Sequence, residues 1–60
     1  MKYTYKNYQL ELYVDEGNCI GVSKSLYAGL NKHYIYQDTF KQVKKEFRNY
    51  INNFLHKKRI

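Results

Sequence analysis

Residues 40–60 read "FKQVKKEFRNYINNFLHKKRI", and the spacing inside this stretch decides the fold. Phe40, Val43, Phe47, Tyr50, Ile51 and Phe54 recur at three- and four-residue intervals. That period places them on one face of an amphipathic helix. Thr39 stands where an N-cap belongs, and Gln42 three residues on completes a capping box. Asp38 puts negative charge at the N-terminus, where the helix dipole favours it. His56, Lys57, Lys58 and Arg59 crowd the other end, where cations are favoured.

Upstream of the helix the period changes to two. Tyr8, Leu10, Leu12 and Val14 alternate with Gln9, Glu11 and Tyr13, which predicts a strand with one apolar face. Tyr3 and Tyr5 extend that strand backwards, in the phase of Tyr13. Asp15-Glu16-Gly17-Asn18 reads as a turn in which Gly17 takes a positive φ. Cys19 to Leu26 is a second strand, with two similarly mixed faces that leave its phase open. Within it, Gly21 leaves room for the close approach of another group. Tyr27 to Lys32 reads as a loop around Gly29, and His33 to Gln37 as a short aromatic, β-branched strand. The expected architecture is α+β: a three-stranded antiparallel sheet with one C-terminal helix on one face, β-β-β-α, as a single domain over residues 1–60.

A chain of 60 residues buries only roughly 60% of the surface its unfolded form exposes. Pairing would add burial, and the two sheet edges carry unpaired backbone groups that a partner strand can satisfy. A homodimer or a sheet-extended complex is therefore expected. No run is long and apolar enough to cross a bilayer, and no basic-then-apolar start marks a secretory signal. The single cysteine, Cys19, cannot form an internal disulfide. These features predict a cytoplasmic protein without membrane contact.

The order of elements and several residues resemble the HicB-like antitoxin domain, a partial RNase H-like fold. The likeness rests on the tyrosine-bearing first strand ending in Asp15-Glu16-Gly17 and on Gly21 in "CIGVS". It rests also on the short strand and capped helix of "YIYQDTFKQVKKEF", with Val43, Phe47, Ile51 and Phe54 at the family's apolar positions. It covers residues 3–55. The resemblance implies a protein that neutralises a toxin by binding it. The chain departs from the family in three ways. "SLYAGLNKH" has no proline where a proline-glycine element is common. The 60 residues leave no room for the C-terminal DNA-binding domain that many members carry, so a stand-alone domain is expected. The charge is positive, whereas toxin-neutralising members are usually acidic.

Formal net charge is +6, from 11 Lys and Arg against 5 Asp and Glu. A positive field steers association with nucleic acid or an acidic protein. On the helix, Lys41, Lys45, Arg48 and Asn52 line one polar edge, with Lys44 nearby. Cations spread along a helix suit phosphates, and they suit an acidic groove equally well. The same charge also keeps a small protein soluble.

The 8 tyrosines form the second candidate surface. With Leu10, Leu12 and Ile35 turned to the helix, Tyr3, Tyr5, Tyr13, Tyr34 and Tyr36 are expected on the open sheet face. Tyrosines are favoured at protein interfaces and can stack bases, but they also satisfy plain β-propensity. Catalysis has little support. His33 and His56 lie far apart in sequence, no metal-ligand spacing occurs, and the carboxylates Glu11, Asp15, Glu16, Asp38 and Glu46 do not cluster on the expected layout. The sequence therefore predicts a non-enzymatic binding protein without cofactor or metal. It would be antitoxin-like or a phage or mobile-element inhibitor that blocks a toxin or nuclease through its sheet face and basic helix edge, the target being one that is acidic or handles nucleic acid. The alternative is direct binding of RNA or DNA.

Overall fold

Two tight turns and one helix cap set the chain path. The computed structural model describes residues 1–26 and 32–58, with Lys58 as backbone only. The elements are β1 (Lys2–Tyr5), β2 (Tyr8–Asp15), β3 (Asn18–Lys24), β4 (Lys32–Gln37) and α1 (Phe40–Lys58). The strands form an antiparallel meander in the order β1-β2-β3-β4, and α1 lies across one face. The loop expected around Gly29, apart from Lys32, and Arg59 lie outside the described residues.

The class is α+β with one C-terminal helix, as the sequence predicts, but the sheet has four strands rather than three. The difference arises at Lys6-Asn7. Both residues adopt positive φ, 49° and 71°, and fold β1 back onto β2. That is the backbone of a two-residue hairpin turn whose twist matches the flanking strands. Lys6 and Asn7 put two polar residues in a row and shift the tyrosines from odd to even positions, but no glycine marks the turn. The second hairpin turn, Glu16-Gly17, uses the same geometry at φ 49° and 80°.

The β1–β2 register corrects the expected placement of two tyrosines. Tyr3 pairs with Leu10 and Tyr5 with Tyr8, so odd residues of β1 face even residues of β2. Opposed residues in a ladder point to the same side of the sheet. Tyr3 and Tyr5 therefore sit on the helix side with Leu10 and Leu12, not on the open face with Tyr13.

The core joins Leu10, Leu12 and Ile35 of the sheet to Val43, Phe47 and Ile51 of the helix. Burial of each such side chain contributes about 1.5–3 kcal/mol. Gly21 lies between Leu12 and Ile35 in the ladder and leaves the space that Val43 fills. Tyr3 adds an edge-to-face contact with Phe47 at 6.1 Å, and Tyr8 another with Phe54 at 6.5 Å. Thr39 caps the helix: its Oγ1 accepts from the Gln42 amide at 3.2 Å and donates to Gln42 Oε1 at 3.2 Å. One buried group breaks the pattern. The Ser23 hydroxyl is enclosed, with no hydrogen-bond partner among the described residues.

Candidate binding surfaces

The proposed site residues divide between two surfaces on opposite sides of the sheet. The first is the edge where α1 meets β1. Arg48 Nη1 donates to Tyr3 Oη at 3.2 Å, and Lys44 Nζ lies 5.3 Å from the centre of the Tyr3 ring. A turn further along the helix, Asn52 Oδ1 accepts from Tyr5 Oη at 3.1 Å and from Lys6 Nζ at 2.9 Å. Lys6 also stands 5.3 Å from the centre of the Tyr5 ring. A cation over an aromatic face gains about 0.5–1 kcal/mol at an exposed site. Tyr3 and Tyr5 thus act as half-buried seats for cations rather than as free rings. Lys41 and Lys45 are exposed on the same helix. Helical spacing sets them beside Lys44 and Arg48.

The opposite side of α1 is different in kind. Glu46 Oε2 accepts from Gln37 Nε2 at 2.9 Å. The His33 and Tyr50 rings stack at 3.9 Å and 2° between planes. Tyr50 Oη accepts from the Leu26 amide at 2.8 Å. Burial lowers the His33 pKa below its ordinary value, and Glu46 opposes that shift. These contacts tie β4 to the helix and leave the positive edge on the β1 side.

The second surface is the sheet face away from the helix. Register places Tyr13, Ile20 and Tyr36 side by side on β2, β3 and β4. The next row on that face is Lys2, Glu11, Val22 and Tyr34. Tyr13, Tyr34 and Tyr36 are 44%, 46% and 61% exposed. The Tyr34 and Tyr36 rings lie 6.3 Å apart at 15°. Ile20 is buried, yet it stands outside the helix-side core, between Tyr13 and Tyr36. The Tyr13 phenol pKa is raised, first by loss of water around it and then by Tyr36, Tyr34 and Asp15.

Sequence reasoning missed Lys6 and Ile20. Lys6 joins the basic edge only because of the turn it occupies, and the positive-φ preference of Asn7 was the available signal. Ile20 was hidden by the mixed faces of its strand. Of the nine predicted residues, Lys44, Arg48, Tyr3 and Tyr5 come together on the helix edge, with Lys41 beside them by helical spacing, while Lys45 lines a shallow cleft with Gln37, Gln42, Glu46 and Asn49. Tyr13, Tyr34 and Tyr36 come together on the open face.

Among the described residues, no three His, Cys, Asp or Glu side chains are grouped to hold a metal ion. Nor is any helix among them long and apolar enough to cross a membrane. No protein-family model matches the chain, and comparisons with curated proteins and with solved structures gave no match.

Proposed function

We propose that this chain is a small non-enzymatic binding protein that blocks a target protein. Its class is antitoxin-like or that of a phage or mobile-element inhibitor, and its target is a toxin or a nuclease. The supporting observation is the basic edge, on which Lys44 and Arg48 of the helix are continued by Lys6 from the first turn, with Lys41 and Lys45 exposed on the solvent side of the same helix. Tyr3 and Tyr5 beneath them restrict the motion of Lys44, Arg48 and Lys6. Held cations lose less entropy on binding than free ones. Such an edge complements an acidic groove or the phosphate-binding surface of a nucleic-acid enzyme. The sheet face lies on the other side, so one compact target covers the helix edge and leaves the open tyrosines for a second contact.

The spacing of the same cations along a helix supports a second reading, direct binding to nucleic-acid phosphates. Affinity would then fall by about 0.7–0.9 log units per log unit of salt for each phosphate contacted. A protein complex with few ion pairs falls less.

The test is purification of the tagged protein from its host, with and without nuclease, followed by reconstitution with whatever is retained. A protein that survives nuclease and moderate salt, binds the purified chain directly and loses activity on binding supports the inhibitor. It should be lost when Lys41→Glu and Lys45→Glu are combined. Nucleic acid alone, released by salt, supports the second reading. Retention of the same partner by the double variant removes the helix edge from either.

A further inference from the structure

We infer that the helix-free face of the sheet pairs with the same face of a second copy, its basic end lying over the partner copy's acidic end. The reasoning begins from the rows of that face. At one end Lys24 lies directly opposite Lys32. Towards the other end come Val22 and Tyr34, then Ile20 with Tyr13 and Tyr36, and finally Asp15 opposite Asn18. Glu16 and Asp38, both exposed, adjoin the acidic end. Glu11, in the row of Val22 and Tyr34, lies opposite Lys2 on β1, so these two charges offset each other at the side of the band. The face is thus an aromatic band between a positive and a negative end.

Six residues separate Lys24 from Asn18 along β3, or about 20 Å at a strand rise of ~3.3 Å. The aromatic band lies midway. A two-fold axis through this band, perpendicular to the strands, turns the strand direction over. It carries the lysine end of each copy onto the Asp15 and Asp38 end of the other. A two-fold axis parallel to the strands would instead set lysine on lysine. Charge therefore selects the first arrangement, which is isologous, since one patch serves both copies. Stacked sheets cross at about 30°, which moves the ends sideways by roughly one strand and keeps Lys24 and Lys32 within reach of Asp15 and Asp38. Any other partner must supply its own matching aromatic strip and opposed charges, whereas a second copy has them already.

Size sets the strength. Four strands at ~4.8 Å spacing over ~20 Å of length give roughly 400 Å² of flat face. A standard interface buries about 800 Å² per partner. The pairing is therefore one that dissociates on dilution. It does not depend on the proposed target, because the basic helix edge faces away from it.

The experiment is sedimentation of the full chain from low micromolar to sub-millimolar concentration at low salt, with far-UV circular dichroism as a check on folding. The mass should rise from 7.4 kDa towards twice that value, and added salt should shift the transition to higher concentration. One variant combines Lys24→Glu with Lys32→Glu, and the other combines Asp15→Lys with Asp38→Lys. Each alone should remain monomeric at concentrations where the parent pairs. An equal mixture should pair again, because each junction in the mixed dimer then joins opposite charges. Tyr36→Glu should abolish pairing while the fold is retained. A parent chain that stays monomeric throughout overturns the inference. So does a parent that pairs while both charge variants, folded, pair as tightly as it does. Loss of target binding in the Lys41/Lys45 variant with pairing intact would show that the two surfaces act separately.

Discussion

Gly21 and Val43 meet with no room for one further carbon atom. A Cβ on Gly21 would stand 2.6 Å from Val43 Cγ1, and 3.0 Å from Leu10 Cδ1. Val43 is the first fully buried residue of α1, so this contact sets how closely the helix approaches β3. Gly21→Ala should lower stability to urea by about 1–3 kcal/mol through overpacking. Val43→Ala should also destabilise, by leaving a cavity. The double variant should cost less than the two singles combined, because each relieves the other. Simple additivity in urea melts would show that Gly21 does not set the helix distance.

Glu16 takes φ 49° beside Gly17 in the β2–β3 turn. Asparagine tolerates that left-handed conformation better than glutamate, and Asn-Gly is the preferred pair for such turns. Glu16→Asn should raise stability by about 0.5 kcal/mol, scaled on the gain from matching a residue to its native backbone. Gly17→Ala should lower it, although nothing lies within 4 Å to obstruct the methyl group. Thermal melts of both variants decide this, and a stable Gly17→Ala chain would count against the turn geometry.

Ser23 is 7% exposed and its hydroxyl has no partner among the described residues. An enclosed unpaired donor loses its water without recompense. Ser23→Ala should therefore stabilise the fold by about 1 kcal/mol. A loss of similar size would mean that the hydroxyl is hydrogen-bonded in solution.

His33 has a pKa lowered by burial against Tyr50, with Glu46 pulling the other way. The unfolded chain then binds a proton more readily than the folded one. Stability supplied by the neutral ring is complete above about pH 6.5 and is lost as pH falls through the lower folded value. Urea midpoints should drop below pH 6.5, and His33→Gln should flatten that part of the profile. An unaltered profile would assign the pH dependence to other groups.

Arg48 and Lys45 lie on the same helix but differ in role. Arg48 is half-buried and donates to Tyr3, while Lys45 is exposed. Arg48→Ala should cost about 1 kcal/mol of stability through the lost bond and packing. Lys45→Glu should change it by no more than about 0.5 kcal/mol. Charge reversal at Lys41 and Lys45 is thus a cleaner probe of binding than one that includes Arg48. Equal melting shifts for Arg48→Ala and Lys45→Glu would contradict that choice.

The sequence carries the helix clearly, because Val43, Phe47 and Ile51 keep one period and Thr39 with Gln42 marks the start. The helix-side residues of β2 were equally legible from the alternation of Leu10 and Leu12. What was not read was the turn at Lys6-Asn7, where no glycine stands. A two-residue turn pairs Tyr5 with Tyr8, so the odd tyrosines of β1 share a face with the even residues of β2. Its local signs are the two polar residues in a row, which shift the apolar phase from odd to even, and the tolerance of Asn7 for positive φ. The same slip divided one expected tyrosine surface into two. Cys19–Lys24 resisted a phase assignment because both faces of β3 are covered, by the helix at Gly21 and by tyrosines at Ile20.

The bond between Arg48 and Tyr3 joins residues 45 positions apart. During synthesis the hairpins can form from neighbouring residues as they emerge, but their greasy side has nothing to rest on until the helix arrives. Each nascent chain therefore passes through an interval in which a tyrosine-rich, half-covered sheet is open to the cell. In that interval the exposed surface resembles that of a client awaiting a chaperone. The helix, made after all four strands, is what ends this exposure, so premature termination before Phe47 should yield chains destined for aggregation or proteolysis rather than a smaller folded form.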